Sequence, residues 1–491
     1  GGLCTLGDPD GNSNAPRLQV EGGVFRMSGG FTRQSGTNFG HVGGTIHLEG
    51  GAISWPFGSW PVTSTIGAPQ LWISNGLTTT IGTFAVGRGG QGLLRVARPN
   101  TRVNTLGFIA LGDSAAGNGS IVVDSSAVMN IQSQLLVGNA GTGSVTVLHG
   151  GRLEPVSDLF FGVAAGSNAT GLVSGPGSTV TLANLLNLGG LGGTPGGPSH
   201  LTVDSSGVVE VTSPTGSARV FPGTGHLTVR EGAVFRAATL LLDGTCDLVA
   251  AKLDVASVQV GNTGSLLGRG LVTGSLQSSG LVDLTPPAGS LGVLRVNGTA
   301  LLVGGGTLGV ALGRGAGPRS DTLSCGGSLT LAGTLALHAD PSFLRVVGDT
   351  FVVATGSSVT GSFSAITWNG APAAALFDVI VQPTRVLVVT KAATLGIESS
   401  PAPTALRFRS VASMARMAFE LELPAEADAR VTLHDVTGRE VARLHEGRLT
   451  AGTHRMAVAE RTLPSGMYFA RAQVIRDGRT EVRTAKAVRI R

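Results

Sequence analysis

A recurring sentence of residues constrains this chain more than any single motif does. Gly138 to Leu153 reads as a Gly-rich turn, an alternating strand, a tight Gly-Gly corner and a second short strand. The same order returns in Gly112 to Val128, in Gly162 to Val180, and in a copy ending Leu201-Thr202-Val203-Asp204-Ser205-Ser206-Gly207-Val208. Taking the last apolar residue before each corner gives Val20, Leu48, Ile73, Val96, Val123, Leu148, Val173, Val203 and Val229. The interval between them is nearly constant; it is shortest before Val96 and longest before Val203. Gly87, Gly112, Gly138, Gly162 and Gly189, just before the strands, keep a similar spacing.

A near-constant period with small insertions marks a solenoid. One such unit holds only short strands and cannot bury its apolar face alone, whereas stacked units share a continuous core. A period of about 25 residues without helix-forming content predicts one full coil of a right-handed parallel β-helix. The predicted helix covers residues 17–395 after an N-terminal segment, 1–16. At a strand spacing of about 4.8 Å, some fifteen coils would form a rod roughly 70 Å long. Glycine supplies 77 of 491 residues, while aromatic and charged residues are scarce at 4% and 13%. Positive mean hydropathy and regular strands argue against disorder.

The strands alternate, as in Ser144-Val145-Thr146-Val147-Leu148, so Ser, Thr, His and Asn form an uncharged polar wall. Asp124 and Asp204 fall at equivalent corners, which predicts a turn-forming role. Trp55-Pro56-Phe57-Gly58-Ser59-Trp60-Pro61 is the densest aromatic cluster. If buried it would cover one end of the helix, where strand edges are otherwise open; if exposed it would stack on sugar rings. Asp8, Asp10, Asn12 and Asn14 offer alternate oxygen ligands around a glycine, the arrangement of a calcium-wrapping loop. No acidic residue follows at the EF-hand distance, so the stretch reads first as a polar turn, and no cofactor is expected. Cys4, Cys246 and Cys325 are odd in number and far apart, without zinc spacing.

From residue 237 the strands continue with altered wording, through Leu329-Thr330-Leu331-Ala332-Gly333-Thr334-Leu335 and Gly348-Asp349-Thr350-Phe351-Val352-Val353. This order resembles the distal passenger segment of autotransporter-type β-helix proteins. The earlier coils resemble the short repeats of such bacterial surface proteins, including the PEP-CTERM-associated kind. The resemblance implies a secreted and mostly non-enzymatic β-helix.

Composition then changes. Residues 396–404, with Ser399-Ser400-Pro401-Ala402-Pro403, read as a linker. Residues 399–491 carry 16 Lys and Arg against 10 Asp and Glu, so the net charge of +5 belongs to this end and the rest is nearly balanced. Closely spaced strands separated by turn signals predict a small Ig-like β-sandwich over 405–491. Its successive motifs are Leu433-His434-Asp435-Val436-Thr437-Gly438-Arg439, Leu449-Thr450-Ala451-Gly452-Thr453-His454, Leu463-Pro464-Ser465-Gly466-Met467-Tyr468-Phe469 and a last strand containing Lys486. These resemble the C-terminal sorting domain of type IX secretion cargo, close to the flagellar-hook-cap type of Ig-like domain. The start departs from that pattern, with Pro401-Ala402-Pro403 where an Asn-containing Pro motif is commoner. The resemblance assigns the sorting motif to Asp435, Gly438, Pro464, Gly466, Tyr468 and Lys486. It implies secretion machinery as the partner and an extracellular or outer-membrane-surface location.

Chemistry is sparsely signalled. Gly87-Arg88-Gly89-Gly90-Gln91-Gly92 fits a dinucleotide fingerprint, but neighbouring coils show the same slot as a repeat turn without a βαβ unit. No G-x-S-x-G elbow occurs, and no two of the nine histidines stand at H-x-x-x-H spacing. In the tail His434, His445 and His454 lie on different predicted elements. The tail has no aromatic interleaving for nucleic acid, and no apolar run is long enough to predict a membrane-spanning helix. No signal peptide is visible, and an opening of Gly1-Gly2-Leu3-Cys4 implies a processed or truncated start. A β-helix lyase or hydrolase would need convergent carboxylates. The candidates are Asp113, Asp158, Asp243, Asp247, Asp254 and Asp283, of which Asp243 and Asp247 with Lys252 form the one tight group in sequence. The expected function is therefore a non-catalytic adhesin or structural spacer, contacting surface glycans or itself; a polysaccharide-acting enzyme is the alternative.

Overall fold

The structure is a computed structural model that describes residues 4–6, 17–20, 22–29, 31–33, 38–41, 43–50, 53–285, 291–314, 317–340, 343, 345–391, 405–411, 417–458, 463–464, 466–476 and 479–489. The calcium-type candidates Asp8, Asp10, Asn12 and Asn14 lie outside the described residues. The chain divides into two compact units, Gly1–Ala392 and Ala393–Arg491.

The first unit is a parallel β-helix, most of whose strands join one 41-stranded sheet. In the regular coils each turn contributes three strands, for example Asn118–Asp124, Val128–Ile131 and Leu135–Val137. Each pairs in parallel with its copy one coil on, at Thr142–Leu148, Arg152–Pro155 and Leu159–Phe161. Three faces result, and the inward residues stack into ladders. Val123, Val147, Val173, Val203 and Val229 are consecutive register partners on the first face, and all are buried. Burying each such side chain contributes roughly 1.5–3 kcal/mol, and stacking makes those contributions continuous.

Two register assignments from sequence need correction. The ladder residue after Val123 is Val147, not Leu148, which pairs instead with Ser174. A one-residue slip moves a side chain to the opposite face, and Leu148 is half-buried on the outer side. Leu48 stacks on Met27 and not on Val20, which pairs with His41. The first coil is therefore shorter than the interval from Val20 to Leu48 suggests. The long interval before Val203 has a local cause: a small antiparallel hairpin, Gly190–Leu191 with Thr194–Pro195, is inserted in that coil. After His226 the coils tighten. His226 pairs with Thr245 and Thr245 with Ser265, closer along the chain than partners in the earlier coils. The cause is that Thr245–Val260 runs as one strand around what were separate edges.

The aromatic cluster is interior and does not form an end cover. Trp55 and Trp60 are each 1% exposed and stack with ring centroids 4.3 Å apart, beside Phe31. Coils flank them on both sides, since Phe31 pairs with Cys4 and with Ile53, and Trp60 with Phe84. The closing device lies at the other end. Phe377–Gln382 and Arg385–Thr390 form a hairpin, and its second strand runs antiparallel to Thr350–Thr355. Phe343, Phe351, Trp368 and Phe377 pack beneath it with centroids 4.9–5.9 Å apart. Reversing the strand direction there removes the open parallel edge that would otherwise template further pairing.

The second unit is a β-sandwich of two antiparallel sheets. One contains Arg407–Val411, Ala418–Leu423 and Gly452–Ala457. The other, in spatial order, contains Glu440–Leu449, Ala427–Asp435, Gly466–Arg476 and Arg479–Arg489. Phe419, Leu421, Val431, Leu433, Ala470 and Ala472 fill the core between them.

Candidate functional site

The carboxylates proposed from spacing do not converge. Asp243 sits at a corner, where its Oδ2 accepts from Arg219 Nε and Nη2 at 3.0 and 2.8 Å. Asp247 lies on the first face, 2.8 Å from His226. Lys252 lies on the second face and donates to Asp254 at 3.0 Å. Three residues close in sequence are thus divided between a corner and two different faces. Asp113 accepts from Asn139 at 2.8 Å and faces Arg88; Asp158 accepts from Ser157 and the Leu185 N–H; Asp254 also binds Arg236 and Thr273. Asp283 accepts from the Thr285 N–H. Each acid is held by its own local partners.

The outward imidazoles meet on the first face. His200 and His226 are register partners, with rings parallel to within 4° and centroids 4.3 Å apart. His226 Nε2 donates to Asp247 at 2.8 Å, and His200 Nε2 lies 2.9 Å from Thr228 Oγ1. Burial, with the neighbouring His226 charge, lowers the His200 pKa to about 4, so its ring is neutral at physiological pH. The parts of a hydroxyl–imidazole–carboxylate relay are present but divided between two stacked rings. Thr228 faces His200, whereas Asp247 orients His226, so the carboxylate does not support the imidazole that faces the hydroxyl. Stacked parallel rings also aim their lone pairs side by side instead of toward one ion. Among the described residues no three His, Cys, Asp or Glu assemble as a metal-ligand set.

The same coil-to-coil economy runs along the wall. Ser120 and Ser144 hydroxyls are 2.6 Å apart, and the side-chain amides of Asn104 and Asn130 meet at 2.7 Å. Asp124 and Asp204 occupy their turns as expected, followed by Ser125-Ser126 and Ser205-Ser206 with positive φ throughout. They also tie coils together: Asp124 accepts from Arg95 of one neighbouring coil and His149 of the other, and Asp204 accepts from Arg230.

Sequence reasoning missed an apolar groove on the third face. Ala85, Ala110, Leu136 and Phe160 are outward register partners, and the last three form their own apolar cluster with Val163. Where the ladder shrinks to alanine, a cavity of about 230 Å³ opens, lined in part by Phe108, Arg88 and Asp113. The unbroken apolar triplets Leu135-Leu136-Val137 and Leu159-Phe160-Phe161 were the available signal, because they break the alternation. Cys246 and Cys325 are both buried free thiols, their pKa values raised by burial, to about 12 for Cys325.

In the sandwich the residues that the sequence resemblance would assign to a sorting motif are mostly structural anchors. Asp435 Oδ1 accepts from Thr437 N–H, Thr437 Oγ1 and Arg439 N–H, closing a hairpin in which Gly438 has φ +85°. Tyr468 is buried and donates its hydroxyl to the Pro464 carbonyl at 2.6 Å, as in a tyrosine corner. Gly466 begins the strand, and Lys486 is exposed opposite Phe469.

The chain matches no protein-family model, and no curated protein matches it.

Proposed function

We propose that this chain is a secreted or cell-surface β-helical protein of a Gram-negative bacterium, acting as an adhesin or structural spacer. Its C-terminal sandwich serves as the type IX-like sorting domain. The supporting observation is the first-face wall, where hydroxyl, imidazole and carboxylate groups are satisfied by the neighbouring coil, as in Ser120–Ser144 and His226–Asp247. Such a wall offers repeated, weak and similar contacts, which gain strength through multivalency. Among the described residues it lacks the single convergent acid–base pair that glycoside chemistry needs.

Two experiments test the reading. A glycan and cell-surface binding screen of the purified chain should find weak multivalent binding, and a parallel depolymerisation assay should find no turnover. Cleavage of an acidic polysaccharide that Asp243→Ala with Asp247→Ala abolishes would replace this reading with an enzyme. For export, a chain ending at residue 392 should be retained inside the cell, and its undiminished secretion would refute the sorting role.

A further inference from the structure

At one end of the outer face of the four-stranded sheet an apolar row stands beside basic residues, while toward the other end the face carries exposed Val482 and Ile475. Tyr468, Ala470, Ala472 and Val474 point into the sandwich and are buried, so Met467, Phe469 and Arg471 point outward. Antiparallel register builds three rows across that face. Met467 lies opposite Val488; His434 and Lys486 flank Phe469; Thr432 and Thr484 flank Arg471. Asp435 pairs with Tyr468, so the next residue, Val436 at the hairpin tip, stands at the end of the first row. That row is Val436, Met467 and Val488, which are 68%, 38% and 55% exposed.

The two rows behind it carry Lys486 and Arg471; the second row ends at the far edge in Glu440, which stands opposite His434 and is engaged by Arg430 and Arg443. Neither Lys486 nor Arg471 makes an ion pair with any of the described residues. By contrast Arg430, Arg443, Arg476 and Arg483 of the same sheet, and Arg439 in its hairpin turn, each stand within 4 Å of a carboxylate. An apolar tip backed by such cations matches the depth profile of a bilayer surface. Apolar side chains enter the boundary between headgroups and acyl chains, and the cations reach anionic headgroups at the level above. The excess of cations over residues 399–491 adds long-range attraction of the same sign.

We propose that this end of the sheet, Val436, Met467 and Val488 backed by Lys486 and Arg471, is a docking surface for an anionic lipid bilayer. It concerns what the mature chain rests against and is independent of the export route, so vesicle binding by purified protein and secretion from cells fail separately.

The test is co-sedimentation of the full chain with phosphatidylcholine vesicles, with and without phosphatidylglycerol, at low and high salt. Binding is expected only to the anionic vesicles and should weaken with salt. Each cation removed should cost about fivefold, so Lys486→Ala with Arg471→Ala should lose roughly 25-fold. Met467→Ser with Val488→Ser should lose at least about tenfold, while Met467→Leu with Val488→Ile keeps binding and shows that the fold is intact. Equal binding to neutral vesicles, no binding to either kind, or unchanged binding by both the alanine pair and the serine pair overturns the proposal. If only the basic variant loses binding, the partner is a soluble polyanion and the lipid assignment is wrong.

Discussion

Gly112 packs directly under the next coil at Thr142: a Cβ on Gly112 would stand 2.2 Å from the Thr142 carbonyl oxygen. Its φ is +62°, and Gly87, Gly138 and Gly162 repeat both the positive φ and the close approach to backbone. Gly166 provides a natural comparison, with φ +84° but open space where a Cβ would stand. Gly166→Ala should therefore cost only the left-handed backbone term, about 1–2 kcal/mol. Gly112→Ala should cost that and the displacement of a coil, at least about 3 kcal/mol. Circular-dichroism melting of both variants checks this, and equal shifts would show that the close approach does not matter.

Asp124 joins three coils through Arg95 and His149. Burial on its own would raise its pKa, but hydrogen bonds from His149 and Ser125 and the Arg95 charge outweigh it and hold the carboxyl below 3.8. A folded pKa below the unfolded one means a stabilisation that is complete above pH 3.8 and lost as pH falls through the lower value. Asp124→Asn should cost about 1–2 kcal/mol near pH 7. The gap from wild type should close in acid, as read from denaturation midpoints across pH.

Asp321 behaves in the opposite sense. Burial raises its pKa from 3.8 to about 6, against the hydrogen bonds it accepts from the Gly292 and Ala311 N–H groups, while the nearby Asp283 charge adds to the rise. The stabilisation from its protonated form is complete below pH 3.8 and lost as pH rises through 6. That loss is at most about 3 kcal/mol. Asp321→Asn should abolish this part of the pH slope, and a variant whose profile still falls between pH 4 and 6 as wild type does would contradict it.

Tyr468→Phe removes one buried hydrogen bond and should lower the stability of the sandwich by about 1–1.5 kcal/mol. All four tryptophans, Trp55, Trp60, Trp72 and Trp368, belong to the helix. Scanning calorimetry should show the shift, while tryptophan fluorescence melting stays where it was; a shift in the fluorescence transition would mean the corner does not act locally.

The sequence by itself determined the architecture, because a parallel β-helix repeats its requirements. Every coil needs glycine where the backbone turns to positive φ and inward valine or leucine at fixed spacing, so Gly87 to Gly189 and Val123 to Val229 announce it in one dimension. It determined the corner role of Asp124 for the same reason. The Leu148 misassignment marks the limit of that signal, since two apolar residues in a row leave period-2 alternation ambiguous and only pairing with the next coil decides. Functional placement was legible only from the tertiary structure. Asp243, Asp247 and Lys252 are neighbours along the chain, yet the first sits at a corner and the other two lie on different faces, in separate surroundings. His200 and His226, one coil apart along the chain, are stacked face to face. In a solenoid the residues that meet belong to successive coils, and the length of each coil depends on insertions such as 190–195 and on strands that run through corners such as 245–260. Those are set by packing against the coil below, which no local pattern records.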